Sequence, residues 1–284
     1  MIKVEIDSNS GFCGGVIRAI DTAERFLWER DGRLFSLGAI VHNEEELERL
    51  GAKGLVALAG DEIDDVVMYG VETILIRAHG VAPEIYEKLR LKGFEIIDCT
   101  CPVVLNIQKQ IRRSAGQVLI FGKHGHPEVL GLVGQNSRAK VFDSLDQLEE
   151  ILAEIDHEEP LDVFSQTTMS PVQYKRACDI ISRVVPGSTI HDTICKQVAS
   201  RHGELSTFAR EHDAVVFVSG SHSSNGKVLC DLCKTENPRT WRVGGPEDIK
   251  PEWFRQGDFV GVSGATSTPK WLLEKVAAAI ENLQ

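Results

Sequence analysis

No stretch of this chain approaches eighteen consecutive apolar residues, and its opening MIKVEIDSNS lacks the charged and apolar segments of a secretory leader. A membrane-spanning helix and export are therefore not expected, and the protein is read as cytoplasmic. An excess of positive charge is missing too, since 31 Lys and Arg stand against 42 Asp and Glu for a net charge of −11. That balance argues against nonspecific attraction to nucleic acid or anionic membrane, so an anionic ligand needs a local pocket. No low-complexity linker interrupts the sequence, and 42% of its 284 residues are hydrophobic. That is enough to bury a sizeable core, and disorder is not the reading.

Nucleotide signatures are absent. There is no G-x4-G-K-[ST], and GFCGGV at 11–16 is not a dinucleotide fingerprint. A second C-x2-C pair is also absent, which leaves Cys230 and Cys233 of LCDLCK without the partners of a zinc site and favours a structural role. Cys178, inside the helix-like YKRACDIISRVV, and Cys99 are read as structural as well. An odd total of seven cysteines in a long chain of this kind points to ligands, catalytic groups or buried hydrophobes more than to disulfides.

What the chain does contain is a steady alternation of strand-like and helix-period segments. KVEI, LFSLG, TILIRA, FEIID, VLIFG, LDVFSQ, STIHD, AVVFVSG and DFVGVSG are separated by helical patterns at 15–30, 43–51, 83–92, 102–115, 171–184, 197–211, 226–235 and 269–282. Near-continuous Val, Ile and Leu runs between helices predict small, mainly parallel sheets in an α/β protein. Parallel sheets bind ligands at the carboxyl ends of their strands. The loops there read SGFCGG, VHN, AHG, CTCP, GKHGHPE, SQTT, HDTICK, SGSHSSN and SGATSTP, gathering thiol, imidazole, carboxyl and hydroxyl groups.

Cys13, Cys101 and Cys195 lie 88 and 94 residues apart, and each is followed 25 to 29 residues on by a histidine, His42, His126 and His222. The spacing predicts three similar α/β units, 1–99, 100–193 and 194–284, around a pseudo-threefold axis with their loops converging. Coincidence is the competing explanation, because the thirds share little else. Each of these cysteines sits between a strand and a helix, where the helix dipole and free N–H groups favour thiolate. Three thiolates without a fourth suit an iron–sulfur cluster with one open iron. A lone cysteine there is more often a small buried hydrophobe; three at matching positions shift the balance.

His42, His79 and His126, at strand-to-helix junctions, are candidates to hold a phosphate group. His157, His202 and His212 read as surface-loop residues without a role, and His124 and His191 stay undecided. Glu128, in the first turn behind Pro127, is either a dipole partner or a proton donor. The hydroxyl runs SQTT, SHSSNG and GATSTP either cap helices or make a neutral cradle for diphosphate.

Taken in order and spacing, GFCGGVIRAI, VHN, AHG, CTCP, GHPEV, QTT, DTIC, SSN and VSGATSTP resemble the 4-hydroxy-3-methylbut-2-enyl diphosphate reductase (IspH/LytB) family over essentially the whole chain. The resemblance implies a trefoil of three α/β units around a 4Fe-4S cluster held by Cys13, Cys101 and Cys195, with a 3Fe-4S form in an oxygen-exposed sample. It implies that the substrate is a small allylic diphosphate, its hydroxyl facing the open iron, and that His42, His79, His126, Ser223, Ser224, Asn225 and Ser267 hold the diphosphate. Glu128 matches the proton-delivering acid, and Thr167 the threonine that orients the hydroxyl or a water. The activity implied is the last step of the methylerythritol phosphate route to isoprenoids, a two-electron reductive dehydroxylation giving isopentenyl and dimethylallyl diphosphate, with ferredoxin or flavodoxin as electron donor. The basic runs RLK (90–92) and KQIRR (109–113) are candidate docking patches for that donor, or solvated helix faces. Two departures stand out: CKQVASRH puts Lys196 and His202 where the family pattern differs, and His222 replaces an asparagine before SSN. A cluster-bearing redox sensor and a zinc hydrolase are the alternatives.

Overall fold

A parallel strand covered on both faces must be apolar throughout, and AVVFV at Ala214–Val218 is buried at every position. In the computed structural model, residues 1–30, 32–58, 63 and 72–283 are described. Their strands, in chain order, are β1 (Lys3–Ile6), β2 (Leu34–Leu37), β3 (Leu55–Leu58), β4 (Thr73–Ile76), β5 (Glu95–Asp98), β6 (Gln117–Phe121), β7 (Ala139–Phe142), β8 (Leu161–Ser165), β9 (Thr189–Ile190), β10 (Ala214–Val218), β11 (Thr240–Val243) and β12 (Phe259–Gly264). The contacts divide the chain into two units, one of Met1–Ala57 with Gln197–Gln284 and one of Leu58–Lys196.

The first unit contains a sheet in the order β1-β12-β10-β11, with all three pairings parallel. Its period of two sorts the core. Ala214, Val216 and Val218 pack with Leu272, Leu273 and Val276 of helix Lys270–Glu281. Val215 and Phe217 face the other way, onto Leu205 and Ala209 of helix Lys196–Glu211 and Leu229, Cys230 and Cys233 of helix Ser224–Glu236. The two cysteines are thus core residues, as expected.

In the second unit the order is β7-β6-β8-β9, again parallel throughout. Leu119 and Phe121 pack on Leu148, Leu152, Tyr174 and Ile181 from helices Leu145–Glu154 and Pro171–Val184. Val118 and Ile120 meet Ile107, Ile111 and Leu132 from helices Pro102–Arg113 and Pro127–Val133. β4 and β5 form a further parallel pair in this unit. The alternation read from the sequence is therefore a parallel α/β fold.

Two histidines expected on surface loops lie elsewhere. His212 is 6% exposed, its ring 4.2 Å from that of Phe208 and 4.4 Å from that of Phe259. His202 lies within helix Lys196–Glu211, half-buried, and burial pushes its pKa down. For His212 one of the two rings comes from far along the chain, Phe259. Among the described residues, no helix is long and apolar enough to cross a membrane.

Candidate active site

Three cysteines open helices at the ends of strands. Cys13 directly precedes helix Gly14–Glu29, Cys101 precedes helix Pro102–Arg113 and Cys195 precedes helix Lys196–Glu211. Their backbone N–H groups are tied to neighbouring strand-end loops: Cys13 to Thr266 O at 3.2 Å, Cys101 to Ala78 O at 2.9 Å and Cys195 to Thr167 O at 2.9 Å. All three are partly exposed, whereas Cys99, Cys230 and Cys233 are buried, and all seven cysteines are thiols and not disulfide halves. Partly exposed sulfur donors on rigid helix starts are the donor set an iron–sulfur cluster requires.

The approach to Cys13 is fixed by a buried ion pair that the sequence reading missed. Asp7, just past β1, pairs through Oδ2 with Arg201 Nη2 at 2.9 Å, and Ser263 Oγ donates to the same oxygen at 2.8 Å. Asp7 Oδ1 takes the N–H of Asn9, and Asp7 O takes both the N–H and the hydroxyl of Ser10. Asp7, through its side chain and its backbone carbonyl, thereby shapes the turn that leads to Cys13. Charged residues separated this far in sequence leave no local signal.

In the second unit Glu128 is 2% exposed in the first turn of helix Pro127–Val133. Its Oε1 accepts from Thr167 N at 2.6 Å and its Oε2 from Thr167 Oγ1 at 2.8 Å. Burial raises its pKa to about 7, against the lowering effect of the two Thr167 hydrogen bonds. The residue before this helix, His126, caps it by accepting Glu128 N–H on Nδ1 at 3.2 Å. A ring that accepts on Nδ1 carries its proton on Nε2 when neutral, and so presents a donor there. His79 stands edge-on to it, ring centroids 5.3 Å apart. The turn after His79 needs glycine: Gly80 has φ +67, and a Cβ would lie 2.8 Å from both Thr100 and Gln108. His191 is structural, stacked on Phe164 at 4.2 Å and bonded to Asp162 at 2.7 Å.

In the first unit the hydroxyl loops meet. Ser223 Oγ lies 3.2 Å from Ser267 Oγ and caps helix Ser224–Glu236 through Gly226 N–H at 3.0 Å. Asn225 Nδ2 donates to Thr266 Oγ1 at 2.8 Å, while its buried Oδ1 has no hydrogen-bond partner among the described residues. Turned over, that amide presents an N–H₂ donor at the same spot while its carbonyl accepts the Thr266 hydroxyl, the arrangement a phosphate oxygen would select. His42 precedes Asn43, whose side chain caps helix Glu44–Gly51 by accepting Glu46 N–H at 3.0 Å. Asn43 with Glu46 three residues on is a helix-start pattern that was legible in the sequence. Lys196 and His222 are exposed.

A parallel α/β chain carrying helix-opening thiols, a buried carboxyl and hydroxyl loops at its strand ends has the donor set of a metal-cluster enzyme and not of a nucleotide-binding one. The chain belongs to the LytB protein family, which it matches over residues 4–281. Membership implies an iron–sulfur cluster, and the thiols described above fit one. Curated relatives named 4-hydroxy-3-methylbut-2-enyl diphosphate reductase include one from Porphyromonas gingivalis, 47% identical with 100% of each chain covered, and one from Bacteroides thetaiotaomicron, 42% identical over 100% of this chain and 99% of the other. A solved structure of (E)-4-hydroxy-3-methyl-but-2-enyl diphosphate reductase, described as the terminal enzyme of the non-mevalonate pathway, is 32% identical with a TM-score of 0.72, covering 99% of each chain. The Plasmodium falciparum E-1-hydroxy-2-methyl-but-2-enyl-4-diphosphate reductase shares the fold at a TM-score of 0.89 and 22% identity, over 99% of this chain and 88% of the other.

Proposed function

We propose that this chain reduces 4-hydroxy-3-methylbut-2-enyl diphosphate to isopentenyl and dimethylallyl diphosphate in the cytoplasm, the closing step of isoprenoid precursor synthesis. The reading is supported by its full-length relatives and, within the molecule, by the buried Glu128 carboxyl held by Thr167. Cys13, Cys101 and Cys195 are the proposed ligands of a 4Fe-4S cluster, one from each of the segments 1–99, 100–193 and 194–284, read as repeated α/β units. When bound, that cluster supplies electrons and a Lewis-acidic iron beside the substrate's hydroxyl.

The rest falls to the chain's own residues. His42, His79 and His126 offer ring N–H donors to the diphosphate, and Ser223, Asn225 and Ser267 offer hydroxyl and amide donors, with Ser224, whose side chain lies outside the described residues, assigned to the same grip. When Glu128 is protonated on Oε2, the 2.8 Å bond to Thr167 Oγ1 reverses so that Oε2 donates and the threonine hydroxyl turns to the departing hydroxyl. The Glu128 proton then moves to Oγ1 as Oγ1 gives its own hydrogen to the leaving oxygen. The balance is two electrons and two protons per substrate: one proton leaves in water and one ends on carbon. An acidic chain needs a local basic patch to receive an acidic electron donor such as ferredoxin or flavodoxin, and the exposed Arg90, Lys109, Arg112 and Arg113 are candidates for it.

The test is anaerobic purification, iron and sulfide analysis, and incubation with the hydroxy diphosphate, dithionite and a viologen dye. Both five-carbon diphosphates should form. Zinc in place of iron, or iron without turnover, would reject the reading.

A further inference from the structure

Helix Glu44–Gly51 begins two residues after His42 with three glutamates, Glu44, Glu45 and Glu46. An acidic first turn ordinarily does no more than complement the helix dipole in water. Glu44 does something else: Oε1 and Oε2 accept the backbone N–H of Ser221 at 3.1 and 3.3 Å, and Oε1 also accepts the Ser221 hydroxyl. Ser221 opens the loop that continues into Ser223 and Asn225. From the other side Arg242 Nε donates to Ser219 Oγ at 2.7 Å, and Nη2 donates to the carbonyls of Gly220 and Ser221. The loop is held between a carboxylate that takes its donors and a guanidinium that takes its acceptors.

The clamp brings two backbones into contact. A Cβ on Gly220 would lie 2.4 Å from His42 O, 2.6 Å from Glu44 Oε2 and 2.9 Å from Asn43 Cα, so only glycine allows the approach. On the same helix Glu46, 0% exposed, accepts the indole N–H of Trp271 at 2.9 Å, in the first turn of the helix that follows Ser267.

We propose that Glu44 is a positioning residue that sets the spacing between His42 and the Ser223–Asn225 loop, so that both engage one diphosphate group. The inference rests on the diphosphate reading above; Glu44 itself does not touch the substrate. Losing its hydrogen bonds should loosen the grip without disturbing either the thiols or the proton donor.

The experiment is calorimetric titration of the iron-loaded, anaerobic protein with inorganic diphosphate, alongside steady-state kinetics. Glu44→Ala should bind diphosphate about tenfold more weakly and raise KM by a similar factor, with kcat within about twofold. Iron content, visible absorbance and unfolding midpoint should match the parent, and Glu44→Gln, which keeps one acceptor, should recover part of the affinity. Should Glu44→Ala not fold, Ser221→Ala removes the hydroxyl from the exposed side of the same contact and should weaken binding about threefold. Unchanged diphosphate affinity in these variants would overturn the inference, as would a loss matched by lost iron or a lowered midpoint. A parent protein that does not bind diphosphate at all would instead remove the diphosphate reading itself, and this inference with it.

Discussion

Thr167 satisfies both oxygens of the Glu128 carboxyl, its N–H at 2.6 Å from Oε1 and its hydroxyl at 2.8 Å from Oε2. A carboxyl pinned at both ends has one orientation, and once it is protonated on Oε2 the threonine hydroxyl must turn from donor to acceptor, which makes that hydroxyl the exit for its proton. Replacing Glu128 by Gln keeps the shape and removes the transferable proton. Turnover should fall by about 10²- to 10⁴-fold while diphosphate affinity changes little. Measuring kcat and Kd on the same iron-loaded variant checks this, and near-parental kcat would take Glu128 out of the mechanism.

The raised pKa of Glu128 fixes the sign of two pH effects. The acid form is the donor, so kcat should decline as pH rises through about 7. Between the ordinary value of 4.5 and about 7 the folded protein holds a proton that the unfolded chain releases, so this group makes folding stability fall with rising pH across that window and level off above it. Urea unfolding at a series of pH values should show the slope in the parent and a shallower one in Glu128→Gln.

Thiol chemistry separates the cysteines. Burial raises the pKa of Cys230 and pushes the Cys233 thiol up to about 12, and both are core residues of helix Ser224–Glu236. They should react with a disulfide reagent only on unfolding. Cys230→Ser should retain iron and activity, whereas Cys13→Ser, Cys101→Ser or Cys195→Ser should lose the brown colour and the iron. Iron content per chain is the measurement, and the reverse pattern would refute the ligand assignment.

The Asp7–Arg201 pair is 5% and 6% exposed. Arg201→Met leaves a buried carboxylate without its cation, a change that costs roughly 3–5 kcal/mol. The urea midpoint should fall accordingly. Asp7→Asn combined with Arg201→Met should recover part of the loss, because the stranded charge is gone.

Long helices and buried strands were legible in the sequence because their periodicity is strong. Helix Pro171–Val184 matches its predicted bounds, helix Gly14–Glu29 is shifted by one residue, and AVVFV forms β10. Strands β3, β7 and β11 and helix Leu145–Glu154 went unread: LVAL, AKVF and TWRV are only four residues long, and AKVF and TWRV are half-buried and lack the Val and Ile run that marks a central strand. The candidate thiols and Glu128 were singled out because each sits on a strand-end loop with a distinctive neighbour, and Thr167 through the family resemblance; the bond between Thr167 and Glu128 was not legible. Nor were the groups that hold those loops in place. Asp7 meets Arg201, Glu44 meets Ser221 and Glu46 meets Trp271 only through the fold, and a surface-type residue such as His212 becomes core once Phe208 and Phe259 close around it.

The account stands on electron transfer to an allylic alcohol, and stoichiometry reads that directly. Under anaerobic conditions, with the hydroxy diphosphate limiting, two equivalents of reduced one-electron viologen dye should be oxidised for each equivalent of isopentenyl plus dimethylallyl diphosphate formed. Iron-loaded protein that oxidises no dye when substrate is added, or that consumes dye without forming either product, would contradict it.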